Sequence, residues 1–132
     1  MTLTIGIDAV RAERRDRGRR ASSTGAAAED AVAAHYARAG MTVADRRWRS
    51  ASGEIDLVIR AGDALVFVEV KQGRDFARAA ERLGPRQIAR ILSAAGRYLA
   101  EHGLDQSTEM RFDVALVDGT GRIEIRENAL AP

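Results

Sequence analysis

A chain of 132 residues with 45% hydrophobic and 30% charged side chains and a net charge of +2 fits one compact domain. It has no cysteine and two histidines, which excludes disulfides, thiolate zinc sites and cysteine nucleophiles and leaves carboxylates and water as metal donors. No apolar run approaches the roughly 20 residues that span a bilayer, and the basic stretch follows the mildly apolar Met1–Val10 instead of preceding it, so a cytoplasmic location with no membrane partner is expected.

Residues 1–23 read as an arginine-rich leader. Leu3, Ile5 and Ile7 alternate weakly, and six arginines between Arg11 and Arg20 then face only Glu13 and Asp16. Such a block is expected to be solvated, the competing reading being an arm that contacts phosphates. One domain is expected over 24–127, with 128–132 as a tail. Its first helix should run from about Thr24 to Ala39, capped by Ser23 or Thr24 and stopped by Gly40, with Ala28, Val32 and Tyr36 on one stripe and Glu29 beside it. An extended segment, Met41–Arg49, ends at Ser50-Ala51-Ser52-Gly53. Two strands follow, Glu54–Arg60 and Leu65–Lys71, joined by Ala61-Gly62-Asp63-Ala64 as a hairpin. Phe76–Leu83 can form a helical turn or two. Pro85 then opens a helix in which Ile88, Ile91, Leu92, Ala95, Tyr98 and Leu99 recur at three- and four-residue spacing up to Gly103. Met110–Val117 and Arg122–Arg126 read as strands. The order α-β-β-β-α-β(-β) predicts an α/β (α+β) domain, a mixed central sheet flanked by helices.

The hairpin carries the chemistry. Side chains alternate between faces of a strand, so a slip of one residue exchanges the whole set. Matching Ile55, Leu57 and Ile59 to Val66, Val68 and Val70 puts Ile55 opposite Val70 and Leu57 opposite Val68. The same register places Asp56 opposite Glu69 and Glu54 opposite Lys71. A charged strand face is ordinarily solvated. Here Val58, Leu65 and Phe67 share that face, so a helix should cover part of it, and acids beside such a cover are costly unless paired or metal-bound. Two carboxylates about 5 Å apart repel by roughly 3 kcal/mol at an effective dielectric near 20.

A divalent cation offsets that repulsion, and two carboxylates on adjacent strands can hold a hard one such as Mg2+ or Mn2+. The cation would polarise a phosphate oxygen and acidify a bound water, which suits phosphodiester hydrolysis. Lys71 is the only lysine beside 20 arginines. Two residues after Glu69, it points the same way and can orient or deprotonate the attacking water or stabilise developing charge.

Asp56 followed by Glu69-Val70-Lys71 at the end of an apolar strand resembles the PD-(D/E)XK signature of restriction-endonuclease-like nucleases. Gly53-Glu54-Ile55-Asp56-Leu57, Phe67-Val68-Glu69-Val70-Lys71 and Arg111-Phe112-Asp113 together resemble the bacterial YraN family, and Gly25–Glu29 and Trp48-Arg49 are similar to its preceding segments. The resemblance covers about Gly25 to Val117. It implies a single restriction-endonuclease-like domain, with Glu29, Asp56, Glu69 and Lys71 at active-site positions and Glu29, Asp56 and Glu69 as metal ligands. Gln87 falls where relatives often carry lysine. It is either a contact to phosphate or water or simply a polar helix start. Nucleases of this class commonly pair up to cut two strands, so a homodimer is among the expected assemblies. Arg111 and Asp113 are expected to form a buried ion pair across the sheet, and Glu54 either assists metal binding or serves the rim.

The leading expectation is a metal-dependent endonuclease acting on nucleic acid, in particular DNA of branched or damaged structure. The alternative is a non-catalytic nucleic-acid-binding module in which Arg46, Arg47 and Arg49 hold phosphates and Trp48 stacks a base, although Trp48 can equally be a core aromatic. A third reading is a partner-binding protein with a structural acidic cluster.

Overall fold

The computed structural model describes residues 20–105 and 107–130. The expected leader therefore lies almost wholly outside the described residues. The elements run α1 (Arg20–Arg38), β1 (Thr42–Ser50), β2 (Gly53–Ala61), β3 (Ala64–Gln72), α2 (Phe76–Glu81), α3 (Pro85–Glu101), β4 (Met110–Val117) and β5 (Ile123–Arg126). The expected order holds, and α1 begins at Arg20 rather than at Thr24. The five strands form one sheet in the order β1-β2-β3-β4-β5. All neighbours are antiparallel except β3 and β4, which run parallel because α2 and α3 carry the chain back across the sheet. Among the described residues no helix is long and apolar enough to cross a membrane.

Helices cover both faces, so the central strands are apolar on both sides. On one face Leu57, Ile59, Val66, Val68, Ala115 and Val117 pack under Ala28, Val32, Ala33 and Tyr36 of α1. On the other, Val58, Leu65 and Phe67 meet Ala94, Ala95, Tyr98 and Leu99 of α3. Val114 and Leu116 meet Ala79 and Ile91 beside them. Complete burial of such a side chain is worth about 1.5–3 kcal/mol, so the α1 and α3 stripes hold the helices to the sheet. Leu130, assigned to a tail from sequence, is buried against this second cluster, and Ala129 N donates to Phe112 O at 2.8 Å.

The hairpin register departs from expectation at its open end. Leu57 does pair with Val68, and the ladder closes at Ala61 and Ala64 around a two-residue turn of Gly62 and Asp63. The pairs Ile55–Val70, Asp56–Glu69 and Glu54–Lys71 do not form; the β2–β3 ladder begins at Leu57. The Asp56 carboxylate instead accepts the Val70 N–H at 2.8 Å, a side chain standing in for a strand. Nor does Ile55 share a face with Leu57: it packs with Phe67 and Tyr98 on the α3 side. On β1, Arg46 reaches Asp30 of α1, whereas Trp48, opposite Ile55, packs on the α3 side. Both strands thus switch faces across one position, Arg47 on β1 and Asp56 on β2. Arg47 has φ 48°, a left-handed conformation uncommon outside glycine.

Asp113 ties the α1 face together. It is fully buried and accepts from Tyr36 Oη at 2.7 Å, from Arg111 Nε and Nη2 at 2.8 Å each, and from Asn128 N at 3.0 Å. The expected Arg111–Asp113 pair is present, running along β4 rather than across the sheet, with Arg111 half-buried. Burial and the Asp113 carboxylate push the Tyr36 phenol upward. Asp113→Ala would strand these donors, so it is expected to cost roughly 3–5 kcal/mol in urea unfolding, against about 1 kcal/mol for Tyr36→Phe. Equal losses would show that the carboxylate does not anchor the cluster.

Candidate active site

The switch between faces brings the acids of the hairpin to the mouth of a cleft. Glu69 projects from β3 toward α3 and is buried, with 5% of its side chain exposed. Gln87, in the first turn of α3, donates from Nε2 to Glu69 Oε1 at 3.0 Å, so it does more than start a helix. Lys71 Nζ lies 3.5 Å from the same oxygen. The Asp56 carboxyl lines the same cleft as Glu69, close enough for each to feel the other's charge. Burial, then the Glu69 charge, raises Asp56 well above the usual carboxylate range; burial raises Glu69 as well.

The cleft holds about 460 Å³. Glu54, Asp56 and Glu69 line it from the hairpin, and Gly84, Arg86, Gln87, Arg90 and Ile91 line it from the start of α3. Gly53 lets α3 approach: a Cβ there would lie 3.2 Å from Arg90 Cβ, and its φ of 148° disfavours other residues. Arg86 and Arg90 were not singled out from sequence. They sit one turn apart on the polar face of α3, where nothing but the cleft distinguishes them from other surface arginines.

Glu29 and Lys71 flank the cleft without lining it. Glu29 of α1 accepts from Arg47 Nε at 2.7 Å. The left-handed turn at Arg47 directs its guanidinium to this carboxylate, and the expected convergence of Glu29, Asp56 and Glu69 on one ion is not present. Among the described residues no three such side chains gather at a point where an ion could sit. Two carboxylates remain, and that donor set fits Mg2+ or Mn2+, which hold one or two carboxylates and complete their shell with water and substrate oxygens. Glu29 still feels Asp56: burial first, then the Asp56 charge, pushes it up to about 7 despite Arg47.

The expected nucleic-acid patch is not assembled. Arg46 turns to Asp30 and Arg47 to Glu29, both on the α1 side. Trp48 is half-buried and packs against the α3-side core, edge-on to Tyr98 with ring centroids 5.2 Å apart. Arg49 is exposed and lies 3.6 Å from Glu54. Alternation broken at Arg47 separates residues that are consecutive in sequence.

Residues 28–117, which span every acid of the site, match the family described as Uncharacterised protein family UPF0102. A UPF0102 protein of Ruegeria pomeroyi is 60% identical over 113 residues, covering 86% of this chain and 92% of that protein. One of Cereibacter sphaeroides is 56% identical over 107 residues, covering 81% and 92%. One of Dinoroseobacter shibae is 44% identical over 115 residues, covering 87% and 86%.

A carboxyl raised by folding binds a proton more tightly in the native state. Its stabilising contribution is complete at low pH and is lost as pH rises through the folded value. For Glu29 that window lies between about 4.5 and 7. In EDTA the unfolding free energy of the wild type should therefore fall across this range, with Asp56 and Glu69 adding slope of the same sign. Glu29→Gln should flatten the curve, as read by urea titrations at stepped pH. An unchanged slope in that variant would place the proton elsewhere.

Proposed function

The chain belongs to the UPF0102 (YraN-like) family, and from the carboxyl pair in its cleft we propose that it is a metal-dependent endonuclease of the restriction-endonuclease-like class, hydrolysing phosphodiester bonds of nucleic acid, with DNA as the substrate. One observation carries the reading: Asp56 and Glu69 meet in a cleft, and Lys71 stands 3.5 Å from Glu69. A structural ion pair would have matched charges. This pair is two acids, each raised by burial, so it favours a cation as its partner.

Asp56 and Glu69 would hold Mg2+ or Mn2+, which when bound supplies Lewis-acid polarisation of the phosphate and an acidified water. The Val70 N–H fixes the Asp56 carboxylate, and the Gln87 amide fixes one Glu69 oxygen, so both ligands are set before substrate arrives. Lys71 places its ammonium beside that oxygen, where it can orient the attacking water and stabilise charge on the pentavalent phosphorus. Arg86 and Arg90 offer planar guanidinium donors to the phosphate from the opposite side of the cleft.

The wild type should bind Mn2+ in isothermal titration, and Asp56→Asn or Glu69→Gln should abolish that binding. Cleavage of a panel of linear, branched and gapped DNA should require Mg2+ or Mn2+, and Lys71→Ala should lower its rate by about 100-fold or more. Full cleavage by Lys71→Ala would remove the lysine from the mechanism, and Mn2+ binding undiminished in both acid variants would remove the metal site.

A further inference from the structure

A second concentration of charge lies where the chain leaves β3. Arg74, Arg78 and Arg82, with Glu81, line a cleft of about 500 Å³, and all four are exposed. Arg78 lies 3.7 Å from Asp75, which also caps α2. Among the described residues, Arg74 and Arg82 have no carboxylate within ion-pair distance. Glu81 lowers the charge of this cleft without cancelling it.

The position of this cleft is fixed by close packing. A Cβ at Gly73 would lie 2.5 Å from the Ala79 nitrogen, so α2 is pressed directly onto the strand exit. Gly119 N donates to Arg74 O at 3.2 Å, pinning Arg74 to the turn after β4. Arg74 is three residues beyond Lys71, so their Cα atoms are at most about 11 Å apart. At the other end, Arg82 lines this cleft and Gly84 lines the acidic one, with Leu83 alone between them in the chain. The two clefts adjoin. Arg86 and Arg90 continue on the acidic side, so arginine recurs at every fourth residue from 74 to 90.

Five arginines spread over two adjoining clefts exceed what a single phosphate can use. They suit a polymer with a phosphate about every 3.4 Å of rise per strand, each matched to a guanidinium fork. An anionic membrane also repeats phosphates, but it would meet them over a broad face, whereas these arginines follow one chain segment that leads to the cleft containing the acids.

We propose that the α2–α3 segment is the track for a sugar-phosphate backbone, with Arg74, Arg78 and Arg82 binding the phosphates to one side of the bond held at Asp56 and Glu69. This rests on the endonuclease reading only for which bond is cut. The binding itself stands on the clefts and their charge.

Fluorescence anisotropy of the full chain with a labelled duplex of about 20 base pairs, in EDTA over a range of KCl, tests it. Each phosphate contact contributes about 0.9 to the slope of log affinity against log salt, so Arg74→Ala/Arg78→Ala/Arg82→Ala should flatten that slope by roughly 2–3 and weaken binding about tenfold or more at moderate salt. Lysines at the same three positions should retain most of the slope. The charge-matched Arg38→Ala/Arg60→Ala/Arg97→Ala, also exposed, should change it by less than about 1. An alanine triple no different from that control overturns the track. So does a triple that loses binding to phosphatidylserine vesicles while keeping its slope on DNA. Hydrolysis of bis(p-nitrophenyl) phosphate, a lone diester too small to reach the arginine cleft, should be equal in wild type and the alanine triple. If wild type hydrolyses neither that diester nor DNA, the endonuclease reading fails while the salt slopes still decide the track.

Discussion

The site depends on one substitution of side chain for backbone: the Asp56 carboxylate takes the Val70 N–H that a longer hairpin would give to a strand. Because that bond ends the β2–β3 ladder at Leu57, the hairpin opens toward its base, and the opening is where the acids sit. The opposed dislocation at Arg47 lets β1 follow, sending Arg47 to Glu29 while Trp48 returns to the core. A left-handed non-glycine residue costs about 1–3 kcal/mol, a cost tolerated where the surrounding packing determines the conformation. Here the Trp48–Tyr98 contact on one side and the Arg47–Glu29 pair on the other provide that packing.

Electrostatically the site is arranged to be short of positive charge at its centre and rich in it at its borders. Asp56 and Glu69 line one cleft with neither fully neutralised by protein, and Lys71 and Gln87 engage only the Glu69 side. Arg86 and Arg90 of α3 line the same cleft, and among the described residues neither forms an ion pair with these acids. An arrangement that fully neutralised the carboxyls with arginine would be more stable and would leave no affinity for a cation.

Much of this was legible in the sequence, and the limits were physical. Element order, the α1 and α3 stripes, the hairpin and the Leu57–Val68 register follow from periodicity and turn residues, and those held. The nearness of Asp56 to Glu69 was also legible. Its cause was not, since alternation predicts a continuous ladder and cannot show where a side chain will interrupt one. That single interruption also accounts for Ile55 on the unexpected face and for Arg46, Arg47 and Trp48 parting company. Gln87 beside Glu69 and the arginines of the cleft depend on how α3 docks, which local pattern does not specify. Leu130 carries no such signal, since a lone apolar residue after a turn has no periodicity.

The parallel pairing of β3 with β4 bears on the order in which the molecule is built. Strands β1 to β3 join through short turns, whereas β4 can dock only after the whole α2–α3 excursion has been laid down. Contacts between distant parts of a chain form late, because loop closure must precede them. The three-stranded meander is thus expected to take shape with its acids still hydrated and mutually screened by water. Drying of the cleft, and with it the raised proton affinity of the pair, then belongs to the last stage of assembly.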